Sequence, residues 1–404
     1  MVVRDPSQRR PTLYEMIESQ GYMHLDSMEG VMDLGAPVKV VGSKWQVVPG
    51  VLLAVAVTML AVLASELPFP PFTMEGGTIE HPLGVSILAI LLGMIVGSVV
   101  KLSSKVKLGC KWAVSWFIPV AIVCLGARMD LSLLDGVGLA LLGVVIGVML
   151  LAIGLAFVVG KMFGMSGKAS YLLGVGTAVC GSSAILAVAP VSESDEDDVV
   201  VAVGAVNLIG LLAMFTCAAV VWWMPEISAT LYGAWSGATI HAVPQVVAAG
   251  ESHSADAATL ATAVKLLRVT LLAPVVVLSA LYIAKRVKQS GEIKHGALGE
   301  LSKPQPMHKY VPWFVWGFVI IGVLASFSLI PSLVFGEGAG QWAYSTTAGL
   351  GVASKWLLAV SMAAIGLQVS IKTMLTAGAK AMLAGLVVWI IMASAAFALL
   401  KWLV

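Results

Sequence analysis

Two stretches of sequence decide the fold: LLGVGTAVCGSSAILAVAP at residues 172–190 and YGAWSGATIHAVPQVV at residues 232–247. Both are apolar enough for a membrane interior, yet both are interrupted by glycine, proline or polar residues. Non-helical backbone persists in a bilayer only where it is buried in protein or lines a cavity, because an unpaired backbone group is costly in hydrocarbon. Broken helices of this kind mark ligand sites in membrane proteins. The two stretches are therefore the first candidates for a binding site.

The rest of the chain has the composition of a membrane protein. Hydrophobic residues make up 59% of the 404 residues and charged residues 11%, with a mean hydropathy of +0.96. These values exclude an ordinary soluble globular protein. Nine apolar runs are long enough to cross a hydrocarbon layer of about 30 Å, and they lie near residues 48–66, 83–100, 108–127, 134–158, 199–224, 258–284, 311–330, 347–367 and 380–400. With the broken segments near 170–190 and 229–250, the pattern predicts an all-α polytopic membrane protein of 11 apolar segments, about nine full spans and two broken or re-entrant segments.

The distribution of basic residues predicts the topology. With the N-terminus on the cytoplasmic side, that side holds 19 of the 24 Lys and Arg residues, whereas Arg128 and Lys401 fall on the other side. Since basic residues are retained on the cytoplasmic side, the count predicts a cytoplasmic N-terminus. The count does not distinguish broken segments that cross the membrane from segments that re-enter. Two crossings or two re-entrant segments leave the two termini on the same sides of the membrane. Re-entrance is favoured because it makes the two segments antiparallel.

The first 44 residues are predicted to be a cytoplasmic N-terminal extension. They are polar and lack the short apolar core and cleavage site of a signal peptide. Residues 12–23 have apolar residues at near-helical spacing, so a surface amphipathic helix and a disordered tail both fit. The chain has four cysteines without CxxC spacing, which indicates neither a disulfide framework nor a zinc site. We expect no metal and no cofactor.

An internal echo at an offset of 240 residues suggests a repeat. Trp116 matches Trp356, and Gly138 matches Gly378. Each copy has a span, a short polar break and another span. If the few identities are not chance, an odd number of spans between the copies makes them inverted in the membrane, as in many transporters.

Each broken segment has the features of a helix that stops and restarts. In the first, Gly181 relaxes the backbone, and Ser182 or Ser183 can cap the new half-helix. In the second, the break falls near His241, and Pro244 suits the first turn of a restarting helix. A restarting helix presents unpaired N–H groups and a positive dipole end, which favour an anion. Tight helix packing by small residues is the alternative explanation of both segments.

Three ionisable residues fall inside apolar segments near these breaks. Lys265 and Arg268 are three residues apart and share a helix face. Cations within a span usually mark a functional path, although snorkelling to the interface is the alternative. His241 is the only histidine inside an apolar segment, so a coupling proton, a substrate hydrogen bond and simple packing are all open. Every Asp and Glu falls in a tail, a loop or a span end, which leaves a net positive interior.

Enzymatic motifs are missing from the sequence. It contains no His-Glu-x-x-His pair for zinc, no Walker loop for ATP and no paired carboxylates. A membrane-embedded enzyme is therefore the weaker alternative, and we expect that the protein is not an enzyme.

Several motifs carry a family resemblance. They are GTAVCGSSAILAVAPV at 176–191, GATIHAVPQVVAAG at 237–250, then KLLR at 265–268 and Pro274. In this order they resemble the YeiH-like family of bacterial inner-membrane proteins, which are described as sulfate exporters. The resemblance covers about residues 45–404 and leaves the N-terminal extension unexplained. It implies the superfamily of cation/proton antiporters and bile-acid symporters, with a scaffold, a moving core built on two discontinuous helices, and export of sulfate or a related oxyanion or sulfonate. It also implies the bacterial inner membrane, which puts the C-terminus in the periplasm.

Together these observations predict a secondary active transporter of a small anion that works by elevator-like alternating access, with a passive anion channel as the alternative. The transmembrane domain spans residues 45–404, with the core at about 170–285 and scaffold helices at 48–158 and 311–404. The predicted substrate-binding residues are Cys180, Gly181, Ser182, Ser183, His241, Gln245, Lys265 and Arg268. His241 is also the candidate proton-coupling residue. The expected partners are a small anionic substrate and the lipid bilayer, with no nucleic acid. A proton or sodium ion is the candidate coupling ion, and a homodimer is the candidate assembly.

Overall fold

The computed structural model describes residues 44–67, 84–129, 138–189, 192, 194–272, 274–279, 313–331, 346–369 and 379–403. Regular structure within these ranges is entirely helical. The predicted N-terminal extension, apart from Lys44, and the basic stretch at 280–312 lie outside the described residues. The helices are α1 (Val48–Ser65), α2 (Val85–Val99), α3 (Ser104–Leu125), α4 (Gly138–Met162), α5 (Gly167–Ala178), α6 (Ser182–Val188), α7 (Glu196–Trp223), α8 (Ala229–Thr239), α9 (Val243–Glu251), α10 (Ala255–Thr270), α11 (Trp313–Ser326), α12 (Thr346–Gln368) and α13 (Ala379–Leu403).

The predicted all-α polytopic membrane fold is confirmed. In the described part of the chain, seven helices are long and apolar enough to cross a bilayer, and two shorter apolar helices, α2 and α11, fall at the other predicted spans. All nine coincide with the nine apolar runs of the sequence. The number of helices that actually cross the membrane stays a prediction.

The helices pack in two groups. The flanking group consists of α1, α2, α3, α11 and α12, which pack on one another. The hairpin group consists of α4 to α10 and α13. The main contacts between the groups join α9 to α2 and α12, and α10 to the 3₁₀ turn Gly126–Arg128. This junction is narrow compared with the packing inside either group.

The packing of α4 and α13 differs from the predicted division, which had put both among the scaffold helices. A four-residue connection joins α4 directly to α5, and short connections keep consecutive helices adjacent. On α13, the Ala393 carbonyl accepts a hydrogen bond of 2.9 Å from the Trp235 indole of α8. Both helices therefore lie with the broken segments. The division into a moving core and a fixed scaffold stays a prediction.

The helix lengths agree between the two copies of the internal echo. The first copy contains α3 with 22 residues and α4 with 25, and the second contains α12 with 23 and α13 with 25. In the structure α3 packs on α12, and α4 packs on α13. The echo therefore corresponds to two helix pairs of matching length that lie side by side.

The first broken segment folds back on itself to form hairpin 1 (residues 167–188). Ser166, which caps α5, donates a hydrogen bond of 2.7 Å from its Oγ to Asp198 Oδ1 at the start of α7. Further along, Gly176 of α5 faces both Ile185 of α6 and Val206 of α7. Helices α5 and α7 therefore run parallel, with α6 returning between them. The structure favours re-entrance over a crossing, which the sequence could not decide.

The second broken segment forms hairpin 2 (residues 229–251) in the same way. The Tyr232 hydroxyl near its start donates a hydrogen bond of 2.9 Å to the Ala249 carbonyl near its end. The His253 Nε2 lies 2.7 Å from the Ile227 carbonyl oxygen, which joins the residues on either side of the hairpin. Because α7 is a single 28-residue helix between the hairpins, they enter from opposite ends of the molecule and their tips meet near its middle.

Candidate functional site

The tips of both hairpins meet at two buried cations of α10. Lys265 is fully buried, and its Nζ donates to the Val179 carbonyl of hairpin 1 at 2.6 Å and to the Ile240 carbonyl of hairpin 2 at 3.0 Å. One ammonium group therefore joins the two tips. Arg268 lies one turn further along α10 on the same face and is also fully buried.

The Arg268 guanidinium spans the same two hairpins. Its Nε donates to the Ala178 carbonyl at 2.9 Å, and its Nη2 donates to the Thr177 carbonyl at 2.6 Å. On the other side, Nη1 donates to the Ala238 carbonyl at 2.7 Å and to the Ile240 carbonyl at 3.2 Å. The planar fork of arginine suits this double contact, which a lysine could not reproduce.

These carbonyls belong to the C-terminal ends of α5 and α8. The last four carbonyls of a helix have no partner within the helix, and that end carries the negative pole of the helix dipole. Basic side chains at a helix C-terminus satisfy both needs. From the sequence, Lys265 and Arg268 had no partner other than a bound ligand, whereas the structure supplies backbone carbonyls. Their head groups are buried at the tips, so snorkelling does not describe them.

The positive charge of the two cations is nevertheless larger than the negative charge of the helix ends that they contact. Each half-helix end is equivalent to about half a negative charge, so two ends offset about one of the two positive charges. Among the described residues, the carboxylates are exposed or lie at helix ends away from the tips, as Asp198 and Glu251 do. The N-terminal ends of α6 and α9, which carry the positive pole of the helix dipole, begin at the same breaks, so the meeting point of the hairpins keeps an excess of at least about one positive charge.

Four of the predicted site residues form the break of hairpin 1. Cys180 and Gly181 lie between the half-helices, and Ser182 and Ser183 form the first turn of α6; all four are buried. Gly181 has a φ of 83° and a ψ of −138°, a conformation that is accessible to glycine and strained for other residues. This glycine lets the chain reverse within three residues. The roles of the four residues in binding stay predictions.

The break of hairpin 2 places His241 beside the cations. Its side chain is 1% exposed, and neither ring nitrogen has a hydrogen-bond partner among the described residues. The positive charges of Lys265 and Arg268 act on it directly. A buried polar group without a partner is uncommon in native proteins and calls for an explanation such as an absent ligand or water.

Gln245 has a structural contact at the start of α9. Its Oε1 accepts a hydrogen bond of 3.2 Å from the Ala242 backbone N–H, which caps the half-helix. Its carboxamide also lies against Gly210 of α7, where a Cβ atom would overlap it. The close approach of α9 to α7 thus depends on a glycine at this position. A substrate contact of Gln245 stays a prediction.

Two buried polar residues, one in hairpin 1 and one on α7, were not predicted from the sequence. Thr177 is fully buried in the last turn of α5, and its Oγ1 has no partner among the described residues. Asn207 is 2% exposed on α7, one turn before Gly210. Asn207 is the only amide side chain in the apolar run 199–224, and that signal was available. Thr177 has no such signal, because a threonine in an apolar helix is common.

The described residues contain no group of three or more His, Cys, Asp or Glu side chains placed to hold a metal ion. All four cysteines are free thiols, and only Cys124 is partly exposed.

The fold and the site define a class of protein: a polytopic helical membrane protein in which two folded-back half-helix pairs meet at buried cations. Comparison with known proteins gives its family. The chain belongs to the family described as Conserved hypothetical protein 698, whose model matches residues 49–385.

Relatives of this chain include membrane proteins of several bacteria. It is 32% identical over 340 residues to the UPF0324 membrane protein Atu0671 of Agrobacterium fabrum, covering 83% of this chain and 87% of the relative. It is 31% identical over 364 residues to the UPF0324 inner membrane protein YeiH of Escherichia coli strain K12, covering 87% and 93%. The predicted resemblance to the YeiH-like family is confirmed.

Proposed function

We propose that this protein is a secondary active transporter of a small anion, which binds where the hairpin tips meet. The observation that carries the proposal is the excess positive charge at the tips. Lys265 and Arg268 are fully buried, and the half-helix ends that they contact offset only about half of their charge. An anion would balance the remainder, because an uncompensated charge is costly in a low-dielectric interior.

Unpaired polar groups support an oxygen-bearing anion in particular. The His241 ring and the Thr177 hydroxyl are both buried without partners among the described residues. Each can donate a hydrogen bond to an anionic oxygen. Together with the family resemblance, these donors favour sulfate or a related oxyanion or sulfonate as the substrate, and the resemblance implies export as the direction. The anion is carried without chemical change.

The packing supports an elevator-like movement. The hairpin group carries the whole tip site, and it meets the flanking group mainly through α9 and α10. Sliding along this narrow junction would move the site without breaking the hydrogen bonds that Lys265 and Arg268 donate to the helix ends, since those carbonyls lie within the hairpin group. The protein would lie in the bacterial inner membrane with a cytoplasmic N-terminus and a periplasmic C-terminus. A homodimer stays a prediction.

Sulfate counterflow into proteoliposomes tests the proposal. Wild-type protein should exchange internal unlabelled sulfate for external labelled sulfate with saturable kinetics, and the sulfate recovered should be unchanged. Lys265→Gln should lose most of this exchange, whereas Lys161→Gln, which changes an exposed cation at the end of α4, should retain it. Sulfate conductance without counterflow would indicate a channel, and equal exchange by both variants would place the anion site elsewhere.

A further inference from the structure

A polar junction lies between the hairpin group and the flanking group, away from the tips. Glu251 is the last residue of α9 in hairpin 2, and its Oε2 accepts a hydrogen bond from the Ser86 hydroxyl at the start of α2. Its side chain is partly buried. Of the carboxylates whose burial the structure describes, only Glu251 and Asp198 are not exposed, and Asp198 pairs within the hairpin group.

Two exposed cations of the flanking group act electrostatically on the same carboxylate. Burial raises the pKa of Glu251 to about 7, whereas the Ser86 hydrogen bond and the charges of Lys355 on α12 and of Arg128 in the 3₁₀ turn after α3 act in the opposite direction. The Arg128 side chain packs against Gly351, one turn before Lys355 on α12. Lys355 lies inside an apolar span, and in the predicted topology Arg128 is one of two basic residues on the side opposite the cytoplasm.

The division of this cluster between the two groups gives it a function. The carboxylate belongs to the hairpin group, whereas Ser86, Arg128 and Lys355 belong to the flanking group. Any sliding of one group along the other separates Glu251 from its hydrogen-bond donor and from both cations. A carboxylate left in partly buried surroundings without these partners favours its protonated form, because burial disfavours the charge.

We propose that Glu251 is the binding site of a coupling proton. This inference rests on the proposed transport function. The Ser86 hydrogen bond and the two cations favour the ionised form of Glu251 while hairpin 2 is seated against α2 and α12, and Glu251 takes up a proton from water when the hairpin group moves away from them. Return to the seated position releases the proton. Each cycle of movement thereby links proton transfer to the passage of the anion, and the protonated carboxyl removes the charge that would oppose the movement.

The titratable groups next to Glu251 are not placed to bind the coupling proton. His253 lies two residues further along, but its Nε2 contacts the Ile227 carbonyl and its Nδ1 contacts the Ser254 hydroxyl. Its ring stacks on Tyr232 within the hairpin group, so sliding leaves its contacts intact. Asp256 is exposed. The sequence had pointed to His241 instead, which lies at the tips among groups that move together.

Transport of labelled sulfate under a pH gradient, with full-length protein in proteoliposomes, tests the proposal. With the membrane potential clamped at zero, one coupled proton per sulfate corresponds to about tenfold accumulation for each unit of pH difference, since one unit is worth about 1.4 kcal/mol. Wild-type protein should show this accumulation. Glu251→Gln, which mimics the protonated form, should lose it while counterflow of sulfate persists. Glu226→Gln, an exposed glutamate between α7 and α8, is the matched control and should behave as wild type.

A milder variant keeps the test valid if Glu251→Gln fails to fold. Ser86→Ala removes a hydrogen-bond donor that favours the ionised carboxylate. The pH at which sulfate uptake is half-maximal should therefore move upward in Ser86→Ala. Difference infrared spectroscopy of the purified protein between about pH 8 and pH 6, above the ordinary range of an exposed glutamate, should show a protonated carboxyl band that Glu251→Gln lacks and Glu226→Gln retains.

Proton-driven accumulation that persists in Glu251→Gln, or that is lost in His241→Gln alone, would overturn the assignment. So would an infrared band that is identical in wild type and Glu251→Gln. Absence of sulfate counterflow in the wild-type protein would instead contradict the proposed function, and the infrared measurement would still decide whether Glu251 takes up a proton.

Discussion

Replacing Arg268 should destabilise the meeting of the two hairpins. The guanidinium is fully buried and donates to backbone carbonyls on both sides of the site. Arg268→Gln removes the charge and most of the donors. The Ile240 carbonyl keeps its bond to Lys265. The other carbonyls lose their charged donor: Thr177, Ala178, Gly237 and Ala238.

The expected loss follows from these contacts. A buried acceptor left without a partner costs about 1–3 kcal/mol, and four such groups cannot be summed because the backbone relaxes and the glutamine rebinds some of them. Removing one partner of a buried charge interaction typically costs about 3–5 kcal/mol. We therefore expect a loss of about 3–5 kcal/mol for Arg268→Gln. A typical domain has a stability of about 5–15 kcal/mol, so the loss is a large fraction. Arg268→Lys keeps a charge but not the fork, and should lose less.

Thermal denaturation of the purified protein measures the relative stability of wild type and the two Arg268 variants. The thiol of Cys217 is completely buried on α7, so in a background in which the other three cysteines are replaced by alanine a fluorogenic maleimide reports when the hairpin group opens. The melting temperature should fall from wild type to Arg268→Lys and further to Arg268→Gln. Lys161→Gln is the control for loss of a positive charge. If Arg268→Gln had the same melting temperature as this control, the guanidinium would not be holding the tips together.

Two further predictions concern the hairpins. Cysteines at Ser166 and Asp198 should cross-link readily, because their side chains are hydrogen-bonded in the structure, whereas a segment that crossed the bilayer would hold them about 30 Å apart; failure to cross-link in folded protein would argue against re-entrance. Gly210→Ala should displace the Gln245 carboxamide and reduce sulfate counterflow. The control is Gly147→Ala, which faces open space on α4 and should have no effect. Equal counterflow in both variants would show that the close contact of α7 with α9 is unimportant for transport.

Much of the site was predictable because its signals are local. An apolar run of about 20 residues predicts a helix that can span the membrane wherever it occurs. Glycine and proline break such a run for reasons that belong to single residues, as Gly181 and Pro244 show. Lys265 and Arg268 stand out because charges are rare in spans, and their spacing places them on one helix face.

The partners of those charges were not predictable. Backbone carbonyls carry no sequence signature, so nothing in the chain marks Ala178 or Ile240 as an acceptor for a cation on α10. The sequence therefore predicted a substrate contact for both cations, with snorkelling to the interface as the alternative. Their structural role at the half-helix ends emerged only from the way that the hairpins fold back.

Sequence by itself determined that this protein is an all-α membrane protein with two broken segments and an internal positive charge, because hydropathy, helix breaking and charge are properties of short stretches. Tertiary structure alone decided that the segments fold back, that α4 and α13 join them, and that Glu251 meets Ser86 across 165 residues of chain. The physical reason is that long-range packing depends on the fit of whole helix surfaces. The same residue at a helix end is solvated or partly buried according to which helix lies opposite, and the sequence around Glu251 does not specify that neighbour.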